Sequence, residues 1–186
     1  MLHLAIIIGS TRIGRRAPAI ANWFAGEAAK RDDLTIDVID LAEARLPDAL
    51  GEALTPEGAA VAQRLAKADV FVVVTPEYNH SFPAPLKSLI DWHNVEWKGK
   101  AVGFVSYGGR SGGLRAVEQL RQIFVEMHAM TVRDSVSFHD VWAQFEASGQ
   151  VLNADSCSRA AKAMLNQLVW WGLALKEART TRPYEF

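Results

Sequence analysis

Residues Leu2 to Ile8 form an almost unbroken apolar run ending at Gly9, and comparable runs recur at 70–74 and 100–107. Each is far shorter than the roughly 20 apolar residues that a membrane helix needs. Strands that read as continuous rather than alternating hydrophobics are covered on both faces, as in a parallel sheet wrapped by helices. Stretches with helical spacing separate the runs. Ile20, Trp23, Phe24 and Ala28 mark a helix over about 16–31, and Val61, Leu65 and Ala68 mark a second, opened by Thr55 as cap and Pro56 as first helical residue. Leu86, Leu89, Ile90 and His93 stripe a third helix over about 84–94, and Leu114, Val117, Leu120 and Phe124 a fourth. Leu34 to Ile39 alternates as a half-buried edge strand does, and a short fifth strand falls near 129–136. Residues 138–154 follow no regular period. A last helix is expected over about 156–177, with Trp170 and Trp171 as packing residues.

The order is β-α repeated five times, which calls for right-handed crossovers. The expected fold is α/β, a doubly wound five-stranded parallel sheet with helices on both faces. No repeat, linker or low-complexity stretch interrupts it, so residues 1–186 are expected to form a single domain.

Charge narrows the function. Lys and Arg number 20 against 21 Asp and Glu, a net charge of −1, which argues against nucleic acid or an anionic membrane as partner. Cys157 is the single cysteine, so no intrachain disulfide can form. With no basic leader before the first strand, a reducing, cytoplasmic setting is expected.

In an open α/β sheet, ligands bind beyond the C-terminal strand ends. Three such ends carry unusual loops. The first reads Gly9-Ser10-Thr11-Arg12-Ile13-Gly14-Arg15-Arg16. It lacks the Lys-Ser/Thr pair of a P-loop, and Thr11 stands where a dinucleotide fingerprint needs glycine. Three arginines nevertheless crowd a helix start, where the macrodipole disfavours each cation by about 0.3–1 kcal/mol. A bound phosphate resolves that conflict, held by Ser10, Arg12, loop amides and one of Arg15 or Arg16. The second loop, 75–85, sets Tyr78 and Asn79 among three prolines, a flat face beside hydrogen-bonding groups. The third, Ser106 to Gly113, has four glycines that let backbone approach a ligand closely. The five histidines show no metal-ligand spacing and Cys157 has no neighbouring His to activate it, so neither a metal nor a catalytic triad is expected.

Together, Gly9-Ser10-Thr11-Arg12, Pro76-Glu77-Tyr78-Asn79 followed by Pro85-Leu86-Lys87, and Ser106 to Gly113 resemble the NADPH-dependent FMN reductase family, over about residues 2–130. This is a flavodoxin-like group that includes quinone, azo-dye and chromate reductases. The resemblance implies FMN as cofactor and NADPH, or NADH, as electron donor. It assigns the phosphate to Ser10, Arg12 and the residues around Arg15, Arg16 and Ala17. Pro76, Glu77, Tyr78 and Asn79 would line the isoalloxazine, and Ser106, Tyr107, Gly108 and Gly109 would approach its other side. Relatives often carry Ser and Asn where this chain has Arg15 and Ala17, so Arg15 or Arg16 must substitute. A small-molecule electron acceptor and assembly as homodimer or homotetramer are also implied. Hydride transfer to a flavin needs stacking and distance rather than a protein acid or base, so no catalytic residue is expected. Arg110 and Arg115 are candidates for a 2′-phosphate. The alternative is a flavodoxin-like electron carrier without its own NAD(P)H reaction.

Overall fold

In a computed structural model, which describes residues 1–146 and 149–185, the three apolar runs become the centre of one sheet. Strands β1 (Leu2–Ile8), β3 (Val70–Pro76) and β4 (Ala101–Tyr107) pair in parallel, with β2 (Leu34–Asp40) on the outer side of β1. The order β2-β1-β3-β4-β5 is the flavodoxin-like 2-1-3-4-5 arrangement. Its switch point lies between β1 and β3.

Side chains alternate across this sheet and feed two cores. Leu2, Leu4, Ile6 and Ile8 of β1, with Val70, Val72 and Val74 of β3, face α1 (Ala17–Ala28) and α6 (Ala154–Thr181). Ala5, Ile7, Phe71 and Val73 face α3 (Pro56–Lys67), α4 (Ala84–Trp92) and α5 (Leu114–Glu126). On that second face Phe71, Trp97 and Phe124 stack edge to face at 4.8 and 5.4 Å. Thr55 caps α3 as expected, its Oγ1 accepting from Gly58 N at 3.2 Å, with Pro56 first in the helix. Within the described residues no helix is long and apolar enough to cross a membrane.

Four features depart from the sequence expectation. The fifth strand is two short pieces, β5 (Met130–Thr131) and β6 (Val136–Phe138), both parallel to β4. Between them the chain leaves the ladder because the Arg121 guanidinium takes the carbonyls of Val132 at 2.7 Å and Arg133 at 2.9 Å. A one-turn helix α2 (Leu41–Ala44) follows β2, capped by Asp40, whose carboxylate accepts from Ala42 N at 3.0 Å. The last helix is longer than 156–177 at both ends. Trp170 is not a core residue: the buried positions Leu165, Leu168, Val169 and Gly172 set the phase of α6, and Trp170 stays exposed with its ring edge-on to Trp171.

Candidate active site

Ile8, Pro76 and Tyr107 end three adjacent strands, so the loops at 9–16, 75–83 and 106–113 meet at one sheet edge. Between them lies a cleft of about 710 Å³. Arg12, Arg15, Arg16, Pro76, Glu77, Tyr78, Asn79, Tyr107, Gly108 and Gly109 all line it. Ser10, Ala17 and Ser106 do not; each is fully buried. Ser10 Oγ shares a 2.8 Å hydrogen bond with the Tyr78 hydroxyl, and Ser106 Oγ donates to Gly112 O at 2.8 Å. These two serines therefore shape the walls.

The arginine cluster resolves into two kinds. Arg15 makes a bidentate pair with Asp40, at 2.5 and 2.6 Å, and donates to Ser10 O. Its hydrogen bond to Asp40 raises its pKa further, against the opposing effect of burial. Its charge is thus committed to the protein, a tie between the first loop and the end of β2 that no local signal announces. Arg12 and Arg16 are exposed and have no ion-pair partner among the described residues. Behind them α1 begins with Arg16 as N-cap, with no side-chain cap and no acid in the first turn. Uncapped amide N–H groups and two uncompensated guanidinium groups thus share one mouth of the cleft, a setting that attracts an anion.

The second loop is a tight hairpin turn. Tyr78 and Ser81 exchange backbone hydrogen bonds at 2.8 and 3.0 Å, and Asn79 and His80 between them adopt φ of 49° and 73°. Both central residues left-handed is the type I′ pattern, which asparagine tolerates. Glu77, its side chain only 6% exposed, pairs with Arg115 at 2.7 Å, and the same guanidinium contacts His80 Nδ1 at 3.1 Å. Arg115 is therefore occupied in holding this loop, which removes one of the two residues considered for a 2′-phosphate. Arg110 remains exposed.

The third loop brings Tyr107 to the cleft. Its hydroxyl is buried near Ser10 but makes no hydrogen bond of good geometry among the described residues, and burial pushes its pKa well up against the opposing effect of Ser10, so it stays a neutral donor. A buried donor without a well-formed hydrogen bond costs about 1–3 kcal/mol, and one carried by a residue that lines a cleft points to a ligand. Two lining residues went unnoticed in the sequence, Val141 and Trp142, from the aperiodic segment after β6. Val141 N donates to Gly108 O at 3.0 Å and Asp140 N to Gly109 O at 2.9 Å, which zips this segment onto the third loop. Cys157 lies far along the chain on α6, where burial raises its thiol pKa, the opposite of an activated nucleophile.

The sequence profile of the NADPH-dependent FMN reductase family matches residues 2–143. The chain belongs to that family. The family's cofactor fits what the cleft offers: two guanidinium groups and an uncapped helix for a phosphate, an orphaned tyrosine hydroxyl for a polar atom deeper in, and the flat faces of Tyr78 and Tyr107. The chain is 39% identical, over 59% of its length, to an NAD(P)H-dependent FMN reductase of Schizosaccharomyces pombe; the match spans 60% of that protein. It is 28% identical to an FMN-dependent NADPH-azoreductase of Staphylococcus haemolyticus, covering 88% of this chain and 92% of the other. In fold it is similar to a flavoenzyme NAD(P)H:(acceptor) oxidoreductase of Paracoccus denitrificans, with a TM-score of 0.73 at 19% identity over 92% of this chain and 97% of that one.

Proposed function

We propose that the chain is an NAD(P)H-dependent reductase that binds FMN in this cleft and delivers electrons to small acceptors: quinones, azo compounds, metal oxyanions or free flavin. The observation that carries the reading is the coincidence, in one cleft, of unpaired Arg12 and Arg16 at an uncapped helix with the orphaned hydroxyl of Tyr107. When bound, FMN supplies two-electron chemistry, accepting a hydride equivalent from NAD(P)H and passing it on. Arg12 and Arg16 hold the phosphate by charge-assisted hydrogen bonds, while Arg15, locked to Asp40, keeps the loop in shape. Tyr107 donates its hydroxyl to the cofactor. The segment 76–79, which leads into the tight turn, presents backbone groups to the ring, and the Glu77–Arg115 pair ties that segment to α5. No side chain is asked to move a proton to the nicotinamide. Donor and acceptor use the same cleft in turn, so double-reciprocal plots at several acceptor concentrations should be parallel. Arg110 is the candidate for preferring NADPH over NADH. Assembly as a homodimer or homotetramer in the cytoplasm is part of the same proposal, with sedimentation as its test.

The deciding experiment is anaerobic addition of NADPH to the purified protein. Bleaching of a bound flavin without any second protein is the expected result, with FMN rather than FAD recovered on extraction. A flavin that NADPH leaves oxidised would instead favour an electron carrier.

A further inference from the structure

The cleft has an uneven chemistry along its rim. Its cations all belong to the first loop, whereas the wall made by Gly108, Gly109, Val141 and Trp142 carries no charge. Trp142 is 66% exposed, although Val141 just before it and Phe145 three residues on are buried. The exposure is imposed by the backbone: Asp140 sits at φ 44°, Val141 N and Asp140 N are tied to the third loop, and Ala143 N closes a 3-10 turn onto Asp140 O at 2.8 Å. Trp142 is thus held out on a fixed turn rather than on a loose loop. Its ring flanks Gly109, where even a Cβ would lie 3.7 Å away, so no other side chain intervenes between them. Ile13, almost wholly exposed, adds a second apolar group to the rim.

We infer that Trp142 is a specificity-determining residue that stacks on the planar aromatic ring of the electron acceptor, a quinone or arene, at the uncharged wall of the cleft. The inference rests on the reductase reading above and names the acceptor class that this site favours. An exposed tryptophan face gains from a planar partner both by area removed from water and by aromatic contact. A compact inorganic oxidant such as ferricyanide gains neither, and so should not register the ring.

The test uses flavin-loaded parent, Trp142→Ala and Trp142→Phe proteins with 2-methyl-1,4-naphthoquinone and ferricyanide. Quinone binding is titrated without NADPH, through quenching of tryptophan fluorescence and perturbation of the flavin band. Trp142→Ala should bind the quinone roughly three- to tenfold more weakly and raise its KM alike, with Trp142→Phe near the parent. Flavin content and sedimentation behaviour should be the same in all three, and Trp142→Ala should lower kcat/KM for the quinone relative to that for ferricyanide. Equal quinone affinity in all three proteins would overturn the inference. So would loss of flavin or of an oligomer in Trp142→Ala, since the ring would then serve the cofactor or a subunit contact. A parent that takes up no flavin would refute the reductase reading itself. The fluorescence titration would still decide whether Trp142 meets the quinone.

Discussion

Two glycines in the binding loops allow backbone strain to be separated from crowding. Gly113 precedes α5 at φ 85°, and Gly14 lies in the arginine loop at φ 70°. An alanine at either position must adopt the left-handed region, which costs about 1–2 kcal/mol. Around Gly14 nothing lies within 4 Å of an added Cβ, so strain is the whole effect. At Gly113 the Cβ would come within 2.7 Å of Ser106 Cβ and 2.8 Å of Tyr107 N. These atoms belong to β4, a strand paired on both sides, and cannot swing away as a side-chain tip would. Overpacking of this kind adds about 1–3 kcal/mol. Gly113→Ala should therefore lose about 2–5 kcal/mol and Gly14→Ala about 1–2. Equilibrium urea unfolding of the flavin-free proteins measures both, free of any contribution from ligand binding. Equal losses in the two variants would refute the reasoning, because the junction of β4 and α5 would then yield to a methyl group at no cost.

Other perturbations separate roles within the charged groups. Arg12→Ala and Arg16→Ala should each weaken FMN roughly ten- to a hundredfold with little change in fold stability, read by fluorescence titration of free flavin. Arg15→Ala should instead lower unfolding free energy by about 3 kcal/mol, because it leaves the mostly buried Asp40 carboxylate without its partner. Lys100 is buried, its amine donating to Leu65 O and Ala66 O at 3.0 and 3.2 Å, and burial lowers its pKa from 10.5 to about 8. Below pH 8 the amine is charged in both states and its burial penalty is complete. Between pH 8 and 10.5 the folded chain sheds the proton first, so stability should rise by up to about 3 kcal/mol relative to Lys100→Met, seen in urea midpoints across that range. Gly172→Ala should raise helicity in an isolated α6 peptide yet destabilise the protein by about 1 kcal/mol. There the added Cβ meets Val70 Cγ1 at 2.4 Å and Leu2 Cδ1 at 2.8 Å.

The order of strands and helices was legible in the sequence because each central strand is apolar on both faces and each helix carries one apolar stripe, which are local properties. The position of the cleft was legible for a related reason. Three loops rich in glycine, proline and arginine could only follow strand ends, and a parallel sheet puts those ends on one side. What each side chain does there was not local. Arg12, Arg15 and Arg16 look alike in sequence, and only the arrival of Asp40 from the end of β2 withdraws Arg15 from the set available to a phosphate. Arg115 is likewise claimed by Glu77, a residue 38 positions earlier. The split of the last strand follows from Arg121 reaching the carbonyls between its two halves, and the outward turn of Trp142 follows from backbone ties to Gly108 and Gly109. Hydrophobic periodicity reports which face of an element is buried. The partner of a charge and the aim of an aperiodic segment are fixed by groups far away in sequence, so they exist only once the chain has folded.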